Sequence, residues 1–550
     1  MSENLTTLSG RQGLDNNLFE KLVESAKENG TPDSELLRDL AEEFLVGKAT
    51  TYGSASFYDF LKPDHKGKKV HVCNGSACLL ADSQNGVTKK LQTQFKEEEI
   101  GHMCCLGRCY ENSAFQVNGQ NYSGDDINNL DSILADGKPY DANYVIKTSI
   151  NTKVLTSEPL SIDDFSAILK KVIDLGADKA LSEINTSNIR GRGGAGFPMG
   201  FKIESCKNTP ADQRYIVCNA DEGDPGAFSD RYLLEEQPLS VLFGMITAGY
   251  IAGATRGVLY IRGEYPESIK IINKAIKELE EVGLHGENIL ASGFDFRFKV
   301  IEGAGAYVCG EETALLSSIE GQRPEVRIRP PYPAQEGLFN KPTIVNNVET
   351  LAALPFIMQN GGKAYASIGT DKSTGTKLVS LDSFFNNPGM VEVEMGISFE
   401  KLIYEIGGGF KSPVKAVHVG GPLGGIVPVS KIDDLELDFE SFRDNGFLLG
   451  HAGVVSIPED FPMIKYLEHL FDFTAVESCG KCFPCSIGSV RGREMMEAAS
   501  DKGEKIDRQL LDDLLETLEI GSLCALGGGL PLGVNNALQY FEEELNQYFK

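Results

Sequence analysis

The spacing of the cysteines is the feature that most restricts what this chain can fold into. Most of its 12 cysteines fall in two short segments, residues 73–109 and residues 479–524. The first ten residues are polar and no apolar run follows them, so we expect no export signal and a cytoplasmic, reducing location. Clustered cysteines in a reducing compartment bind metal more often than they form disulfides. The pattern therefore predicts two metal centres.

The first cysteine segment predicts a 2Fe–2S site. Cys73 and Cys78 have four residues between them, and Cys105 and Cys109 enclose Leu-Gly-Arg. Four thiolates on two loops at the ends of strands are suitable ligands for a binuclear iron–sulfur cluster. The alternative is structural zinc or buried thiols, although zinc sites favour C-x-x-C pairs. Cys104 is left out of this ligand set.

The second cysteine segment predicts a 4Fe–4S site in a helical region. Cys479, Cys482 and Cys485 form the pattern C-x-x-C-x-x-C, and Cys524 follows at a distance. Three thiolates on one turn can bind three corners of a cubane cluster, and a distant fourth completes its coordination. Zinc is the alternative, but three closely spaced cysteines suit a tetrahedral site less well.

Residues 190–202, with the sequence RGRGGAGFPMGFK, predict an anion-binding loop. Glycines let main-chain N–H groups approach a ligand closely, and Arg192 and Lys202 add attraction for phosphate. Gly191, Gly193 and Gly196 also match G-x-G-x-x-G, yet the preceding LSEINTSNI is too polar for the strand of a Rossmann turn. The alternative is an ordinary glycine-rich surface loop.

Three further segments place polar residues where a strand ends or a helix begins. The apolar strand predicted at residues 215–218 is followed by Asn219, Asp221 and Glu222, and ligands of open α/β sheets bind beyond such strand ends. Two later groups are Gly310, Glu311 and Glu312, and Asn346, Asn347 and Thr350. The alternatives are an acidic turn for the first group and helix caps for the other two.

The segments around the first cysteines resemble a known family. TYGSASFYDFL at residues 51–61, the C-x4-C pair and CLGRC are similar to the thioredoxin-like 2Fe–2S subunit of respiratory complex I and its relatives. The resemblance covers about residues 15–140. Its helical part is shorter than in the free-standing subunit, as in versions fused to a flavoprotein.

Five later segments occur in one order: RGRGGAGFPMGFK, CNADEGDPGAFSDR, GAGAYVCGEETAL, NKPTIVNNVETL and ESCGKCFPCSIG. Together they resemble the NADH-binding flavoprotein subunit of complex I and the diaphorase subunits of NAD-reducing hydrogenases and NAD-dependent formate dehydrogenases. The fusion, GGPLGG, LLGHAGVV and the ending soon after GSLCALGGGLPL favour the diaphorases. DEGDPGAF is also similar to electron-bifurcating hydrogenase flavoproteins, whose additional C-terminal ferredoxin-like cysteines are missing here.

The resemblance implies FMN with a dinucleotide beside it. The residues implied for FMN are Gly191, Arg192, Gly193, Lys202, Asn219, Asp221, Tyr307, Gly310, Glu311, Asn346, Asn347 and Thr350, and we add Glu222 to the cofactor-binding set. The dinucleotide is expected near Phe197, Glu312, Arg329 and Tyr332. Glu312 would favour NAD by bonding the adenosine ribose and repelling a 2′-phosphate.

Two residues depart from the family pattern. Asp224 stands where many relatives carry a glutamate near the nicotinamide, and Ser205 replaces an aromatic residue that stacks on adenine in some relatives. No protein acid or base is expected to be catalytic, because hydride transfer depends on positioning. The departures leave open a second hypothesis, a structural or electron-relay subunit with a decayed flavin site.

Length and charge complete the prediction. A chain of 550 residues is too long for one core, so roughly three to five domains are expected. We predict an α/β multidomain protein. Its parts are a helical segment (1–62), a thioredoxin-like 2Fe–2S domain (63–145), a Rossmann-like FMN/NAD domain (146–360), a β-grasp-like domain (361–440) and a helical bundle with the 4Fe–4S site (441–550).

The predicted function is that of an NADH dehydrogenase or diaphorase subunit with FMN, NAD(H), 4Fe–4S and 2Fe–2S centres. Its expected partners are a ferredoxin-like iron–sulfur subunit and a hydrogenase or formate dehydrogenase catalytic subunit. The net charge of -27 argues against nucleic acid. No run approaches the roughly 20 apolar residues that would insert into a bilayer.

Overall fold

The structure, a computed structural model, describes residues 13–136 and 144–550. The expectation that there is no export signal rests on residues 1–10, which lie outside the described residues. Within the described part, no helix combines the length and the apolar character needed to cross a bilayer.

The N-terminal helices pack onto the central domain. They are α1 (Leu18–Asn29), α2 (Ser34–Glu43) and α3 (Lys48–Ala55). The Asn17 side chain caps α1 by accepting the N–H of Glu20, and its Nδ2 donates to Ile319 O at 2.7 Å. Phe19 is buried against Tyr260 of the central sheet. The predicted helical segment therefore shares the core of the domain that follows it.

A small α/β unit with the topology predicted for the first cluster domain comes next. Its elements are β1 (Val70–Cys73), α4 (Ser76–Leu80), α5 (Gln84–Leu91), β2 (Ile100–Met103), β3 (Phe115–Val117), β4 (Gln120–Tyr122) and α6 (Leu130–Asp136). The sheet order is β2-β1-β3-β4, with β1 parallel to β2 and antiparallel to β3. Each cysteine pair begins where one of the two parallel strands ends.

The central domain follows the short strand β5 (Ile146–Thr148). Its elements are α7 (Ile162–Leu175), α8 (Ala177–Ser187), α9 (Met199–Asn208), β6 (Tyr215–Ala220), α10 (Ser229–Glu236), α11 (Pro238–Ala252), β7 (Arg256–Ile261), α12 (Pro266–Glu281), β8 (Gly286–Ile289), β9 (Phe294–Glu302), α13 (Glu312–Ile319), β10 (Thr343–Asn347), α14 (Val348–Ala352), α15 (Leu354–Asn360) and α16 (Gly362–Ala366).

The central sheet has the order β10-β6-β7-β9-β8, and only β8 is antiparallel to its neighbour. Helices cover both faces, which explains why β6 and β7 are continuous apolar runs. The register pairs Asn347 with Asn219, so the carboxyl ends of β10 and β6 lie side by side. This edge is where an open parallel sheet binds its ligand.

A second, mixed sheet has the order β14-β13-β15-β11-β12-β5. Its remaining elements are β11 (Thr376–Leu381), β12 (Gly389–Glu394), a π-helix (Lys401–Ile406), β13 (Val414–Val419), β14 (Gly425–Pro428), α17 (Phe439–Asp444) and β15 (Gly453–Pro458). Strands β5 and β15 come from outside the predicted interval 361–440. The local sequence of a strand does not indicate which distant segment it pairs with.

Five helices complete the chain. They are α18 (Met463–Glu477), α19 (Phe483–Lys502), α20 (Arg508–Gly521), α21 (Ala525–Tyr540) and α22 (Glu542–Leu545). The second cysteine group lies between α18 and α19 and between α20 and α21, with Cys482 and Cys524 at the N-caps of α19 and α21. The positive ends of two helix dipoles therefore meet at these thiols, which favours an anionic cluster.

Candidate functional site

The glycine-rich stretch forms a closed loop between α8 and α9. Gly191 N donates to Phe197 O at 2.9 Å, and Met199 N donates to Ile189 O at 3.1 Å. Helix α8, and not a strand, precedes the loop, as the polar sequence LSEINTSNI indicated. The loop is therefore not a Rossmann strand–turn–helix. Position 193 has little room for a side chain, because a Cβ there would lie 3.0 Å from Asn347 Cβ.

Arg192 and Thr350 hold the loop from behind. The Arg192 side chain is buried, and its Nη2 donates to Tyr365 OH at 3.0 Å and to Thr374 O. Arg192 N donates to Thr350 Oγ1 at 2.9 Å. In the structure both side chains fix the loop against the core, and Arg192 Nη1 has no hydrogen-bond partner among the described residues. Their contact with a cofactor stays a prediction.

The loop faces polar groups at the strand ends. Asn219 Nδ2 donates to Gly310 O at 2.7 Å, which joins the end of β6 to the turn before α13. Asn346 is buried at the end of β10, and its Nδ2 has no hydrogen-bond partner among the described residues. An unpaired buried amide costs roughly 1–3 kcal/mol, so this donor is placed for a ligand. We call the loop of residues 190–202 with Asn219, Asn346 and Asn347 the flavin bed.

These features fit FMN. The flavin bed supplies main-chain N–H groups and Lys202 for a phosphate, and the buried donor of Asn346 for a ring or ribitol oxygen. Gly193 lets the loop backbone approach Asn347 closely, since a Cβ there would lie 3.0 Å from Asn347 Cβ.

Two half-buried carboxylates line the segment after β6. Burial raises the pKa of both Asp221 and Asp224. Tyr307 OH donates to Asp224 Oδ1 at 2.6 Å, and this hydrogen bond opposes the rise at Asp224. Tyr307 N donates to Glu477 Oε2 at 2.8 Å. Tyr307 therefore joins this acidic segment to the last residue of α18, two positions before Cys479.

Glu222 faces away from the open side of the bed. Its carboxylate accepts the N–H of Asp230 at 2.9 Å and of Arg231 at 3.1 Å, so it caps α10. Burial raises the pKa of Glu222 to about 7. Membership of Glu222 in the cofactor-binding set stays a prediction.

His451 is a site residue that the sequence did not reveal. It comes from the turn before β15, and its Nε2 lies 3.2 Å from Asp230 Oδ2 and 3.8 Å from Glu222 Oε1. Asn347 Nδ2 donates to the same Asp230 oxygen at 2.6 Å. The one available signal was a histidine inside the apolar segment LLGHAGVV.

Three charged residues form a chain on the side predicted for the dinucleotide. Glu312 Oε1 lies 2.9 Å from Arg329 Nη1, and its other oxygen lies 3.4 Å from Lys202 Nζ. Glu311 has a different role, because its carboxylate caps α13 by accepting the N–H of Thr313 and Ala314. Both of these bonds go to Oε2, while Glu311 Oε1 lies 3.8 Å from Arg329 Nη2. Contact of Glu311 with the cofactor stays a prediction.

Exposed aromatic rings stand beside this chain of charges. Phe197, Phe201 and Tyr332 are all exposed, and the ring centroids of Phe197 and Phe201 are 5.6 Å apart. Ser205 lies one turn after Phe201 on α9. Phe201, at 61% exposure, is an aromatic surface that sequence reasoning did not consider.

The first cluster site brings its four predicted cysteines together. Cys105 Sγ lies 3.4 Å from Cys109 Sγ, and Cys73 hydrogen-bonds with Cys105 and Cys78. Bonds from Cys109 and Cys73 lower the pKa of Cys105. Cys104 stays outside this group and packs instead among residues of the second cluster region.

The central domain and a loop of the mixed sheet enclose the first cluster site. Gly107 has φ +64°, and a Cβ there would lie 2.8 Å from Tyr265 OH. Arg231 Nη1 donates to Gly107 O at 2.8 Å, and Ser383 N donates to Cys109 O at 3.0 Å. A Cβ on Gly75 would lie 3.4 Å from Pro225 Cβ. The loop after Asp224 therefore forms one wall of this cluster site.

The second cluster site is built on two helix N-termini. Burial raises the pKa of Cys485 to about 11 and of Cys524 to about 12. Gly527 on α21 lies so close that a Cβ would be 2.7 Å from Cys485 Cβ. Lys481 Nζ donates to Val326 O at 2.7 Å, so it fastens the cysteine turn to the central domain.

Three family profiles match the chain. The profile described as the Nuo51 FMN-binding domain matches residues 184–355. The profile of the NADH-ubiquinone oxidoreductase-F iron–sulfur binding region matches residues 465–548. The thioredoxin-like [2Fe-2S] ferredoxin profile matches residues 7–138. These intervals contain all the cysteines of both cluster sites.

Several proteins are similar over most of their length. The NADP-reducing hydrogenase subunit HndC of Solidesulfovibrio fructosivorans is 45% identical, over 70% of this chain and 80% of its own. The NAD-reducing hydrogenase HoxS subunit alpha of Cupriavidus necator is 30% identical, over 99% and 94%. A crystal structure of an air-oxidized NAD+-reducing [NiFe]-hydrogenase aligns with a TM-score of 0.83 and 27% identity, covering 96% of this chain and 93% of that one.

Proposed function

The chain belongs to the family of FMN- and iron–sulfur-containing NADH dehydrogenase flavoprotein subunits, and from this premise we propose that it exchanges electrons between NAD(H) and a partner redox subunit of a hydrogenase-type complex. The expected fold class, enzyme class and cofactor set are confirmed by the three profiles and by the relatives. The observation that carries the proposal is the flavin bed, where the glycine loop packs against Asn347 and the adjacent buried Asn346 has an unpaired donor.

We assign the phosphate of FMN to the glycine loop and Lys202, and its ring to the strand ends. When bound, FMN accepts a hydride from NADH and passes the electrons on singly. The chain's own contribution is orientation: Asn219 and Asn347 are held by Gly310 O and Asp230, so the bed keeps its shape before the ligand arrives. Asp221 and Asp224 lie beside the bed, near the predicted nicotinamide position.

We propose NAD rather than NADP as the dinucleotide. The Glu312 carboxylate is ion-paired with Arg329 and Lys202, so these two cations are partly neutralised. A 2′-phosphate would meet Glu312 at this position, whereas ribose hydroxyls could donate to it. Phe197 and Phe201 offer exposed rings on which adenine can stack, with Phe201 compensating for Ser205.

Electrons are proposed to leave through the second cluster site. Phe483 and Ile520 are each 77% exposed there, and Ile487 and Leu523 are exposed nearby. Exposed apolar groups around a redox centre mark a docking surface. We assign this surface to a ferredoxin-like iron–sulfur subunit, which would connect the chain to a hydrogenase or formate dehydrogenase catalytic subunit.

Two further assignments remain proposals. A cytoplasmic location is supported by the cysteines, which form no disulfide within the part of the chain that the structure describes. The division at residues 62, 145, 360 and 440 is retained as a functional map, with β5 and β15 added to the fourth part, residues 361–440, because they pair with its sheet.

The test begins with the anaerobically purified chain. We expect bound FMN, bleaching of the flavin by NADH, and reduction of viologen or ferricyanide. Asn346→Ala should weaken FMN binding by about tenfold, because the buried donor is lost. Asn360→Ala, an exposed asparagine at the end of α15, is the matched control and should bind FMN normally. A wild-type chain that binds no FMN after reconstitution would overturn the proposal.

A further inference from the structure

A buried histidine lies directly behind the flavin bed. The side chain of His451 is only 6% exposed, and its Nε2 is 3.2 Å from Asp230 Oδ2 and 3.8 Å from Glu222 Oε1. On the other side of the ring, Nδ1 lies 3.3 Å from Ser229 Oγ. Both ring nitrogens therefore have polar neighbours, and two carboxylates lie near Nε2.

The charge of this histidine follows from its neighbours. Burial opposes protonation, but the attraction of Asp230 and Glu222 and the hydrogen bond to Asp230 raise the pKa of His451 to about 10. Lys377 on β11 repels the proton, although Lys377 is itself ion-paired with buried Glu349. Asp224 also faces the ring, since His451 lowers the pKa of that carboxyl. His451 is therefore a cation at neutral pH.

Two contacts connect the cation to the flavin bed. His451 Nε2 and Asn347 Nδ2 both donate to Asp230 Oδ2 and lie 3.3 Å apart. A Cβ on Gly194 would lie 3.6 Å from Gly450 Cα and 3.9 Å from His451 N. The turn that carries His451 therefore packs against the underside of the glycine loop, in a region with little solvent to screen its field.

We propose that His451 is the positioning residue that sets how strongly the flavin site prefers reduced over oxidised FMN. The flavin gains one negative charge when it accepts a hydride from NADH, which leaves as NAD⁺. A fixed cation behind Asn347 stabilises that added charge, whereas a neutral residue does not. The inference rests on the proposed placement of FMN in the flavin bed.

The experiment compares the dissociation constants of oxidised and dithionite-reduced FMN, measured by anaerobic ultrafiltration. His451→Gln should weaken the binding of reduced FMN about tenfold more than that of oxidised FMN, which corresponds to about 30 mV for a two-electron couple. His451→Lys keeps a cation and should retain the wild-type ratio within about twofold. His418→Gln is the matched control, because burial lowers the pKa of His418 to about 4 and leaves it neutral.

The outcomes separate this inference from the proposed function. Equal weakening of both FMN states in His451→Gln would mean a merely structural role, and an unchanged ratio would equally overturn the inference. A wild-type chain without FMN would overturn the proposed function instead.

A second measurement needs no variant. Burial lowers the pKa of the other six of the seven histidines, so ¹⁵N-histidine spectra of the wild type at pH 8 should show one imidazolium. Spectra without an imidazolium would overturn the inference.

Discussion

Tyr307 binds Asp224 through its side chain and Glu477 through its main chain. Its hydroxyl donates to Asp224 Oδ1 at 2.6 Å, and its N–H donates to Glu477 Oε2 at 2.8 Å. Its ring packs against Phe473 of α18 with centroids 4.9 Å apart. One residue thus fixes the acidic edge of the flavin bed to the helix that leads into the second cluster site.

Removing the Tyr307 hydroxyl should move the acid limb of NADH oxidation. Burial already raises the pKa of Asp224, and the hydroxyl opposes that rise. In Tyr307→Phe the pKa therefore increases further, and Asp224 takes up its proton at a higher pH. The fall of kcat/KM on acidification should then begin at higher pH than in the wild type. Tyr52→Phe, which alters an exposed ring on α3, is the control, and coinciding pH profiles for the two variants would contradict the assignment.

Glu312 should decide between the two dinucleotides. Glu312→Gln removes the carboxylate that would repel a 2′-phosphate and frees Arg329 and Lys202 to bind it. We expect the ratio of kcat/KM for NADH over NADPH to fall about tenfold, the equivalent of about 1.4 kcal/mol. Glu325→Gln, an exposed acid that pairs with Arg323, should keep the wild-type ratio. An unaltered ratio in Glu312→Gln would mean that the adenosine ribose does not lie beside Glu312.

Cysteine variants should distinguish ligands from neighbours at the first cluster site. Cys73→Ser removes a thiol that hydrogen-bonds with Cys78 and Cys105, so the rhombic EPR signal of the reduced 2Fe–2S cluster should disappear. FMN and the 4Fe–4S signal should remain. Cys104→Ser, next in sequence to Cys105, should leave all three intact. If Cys104→Ser abolishes the rhombic signal and Cys73→Ser does not, the ligand set is wrong.

The second cluster site should be sensitive to one glycine of α21. A Cβ at Gly527 would lie 2.4 Å from Ser522 Oγ and 2.7 Å from Cys485 Cβ, so Gly527→Ala must push α21 away from the cysteines. We expect the 4Fe–4S content, measured as iron and acid-labile sulfide, to fall severalfold. Gly528→Ala is the matched control, since the nearest atom to its Cβ would be 3.5 Å away. Equal iron content in the two variants would refute the packing argument.

Local patterns carried the predictions that agree with the structure. Each cysteine group could be predicted because its spacing is set within one turn. The Sγ atoms of Cys105 and Cys109 do lie 3.4 Å apart. Asn219 and Asn347 were readable as neighbours because each ends an apolar run, and parallel strands bring their carboxyl ends together.

Tertiary contacts account for what the sequence did not reveal. His451 meets Asn347 from 104 residues away, and Arg192 reaches Thr374 across 182 residues. Periodicity describes a helix or strand and not its distant partner, so neither contact had a signal in the local sequence. The same limit applies to Thr350, whose hydroxyl accepts the N–H of Arg192 from 158 residues away.

The burial of Gly107 has a consequence for how the protein is made. Tyr265 and Arg231 of the central domain cover the turn between two cysteines of the first cluster site. The four cysteines of this site are at most 2% exposed. We therefore expect the small N-terminal unit to receive its cluster before the two parts of the polypeptide close together.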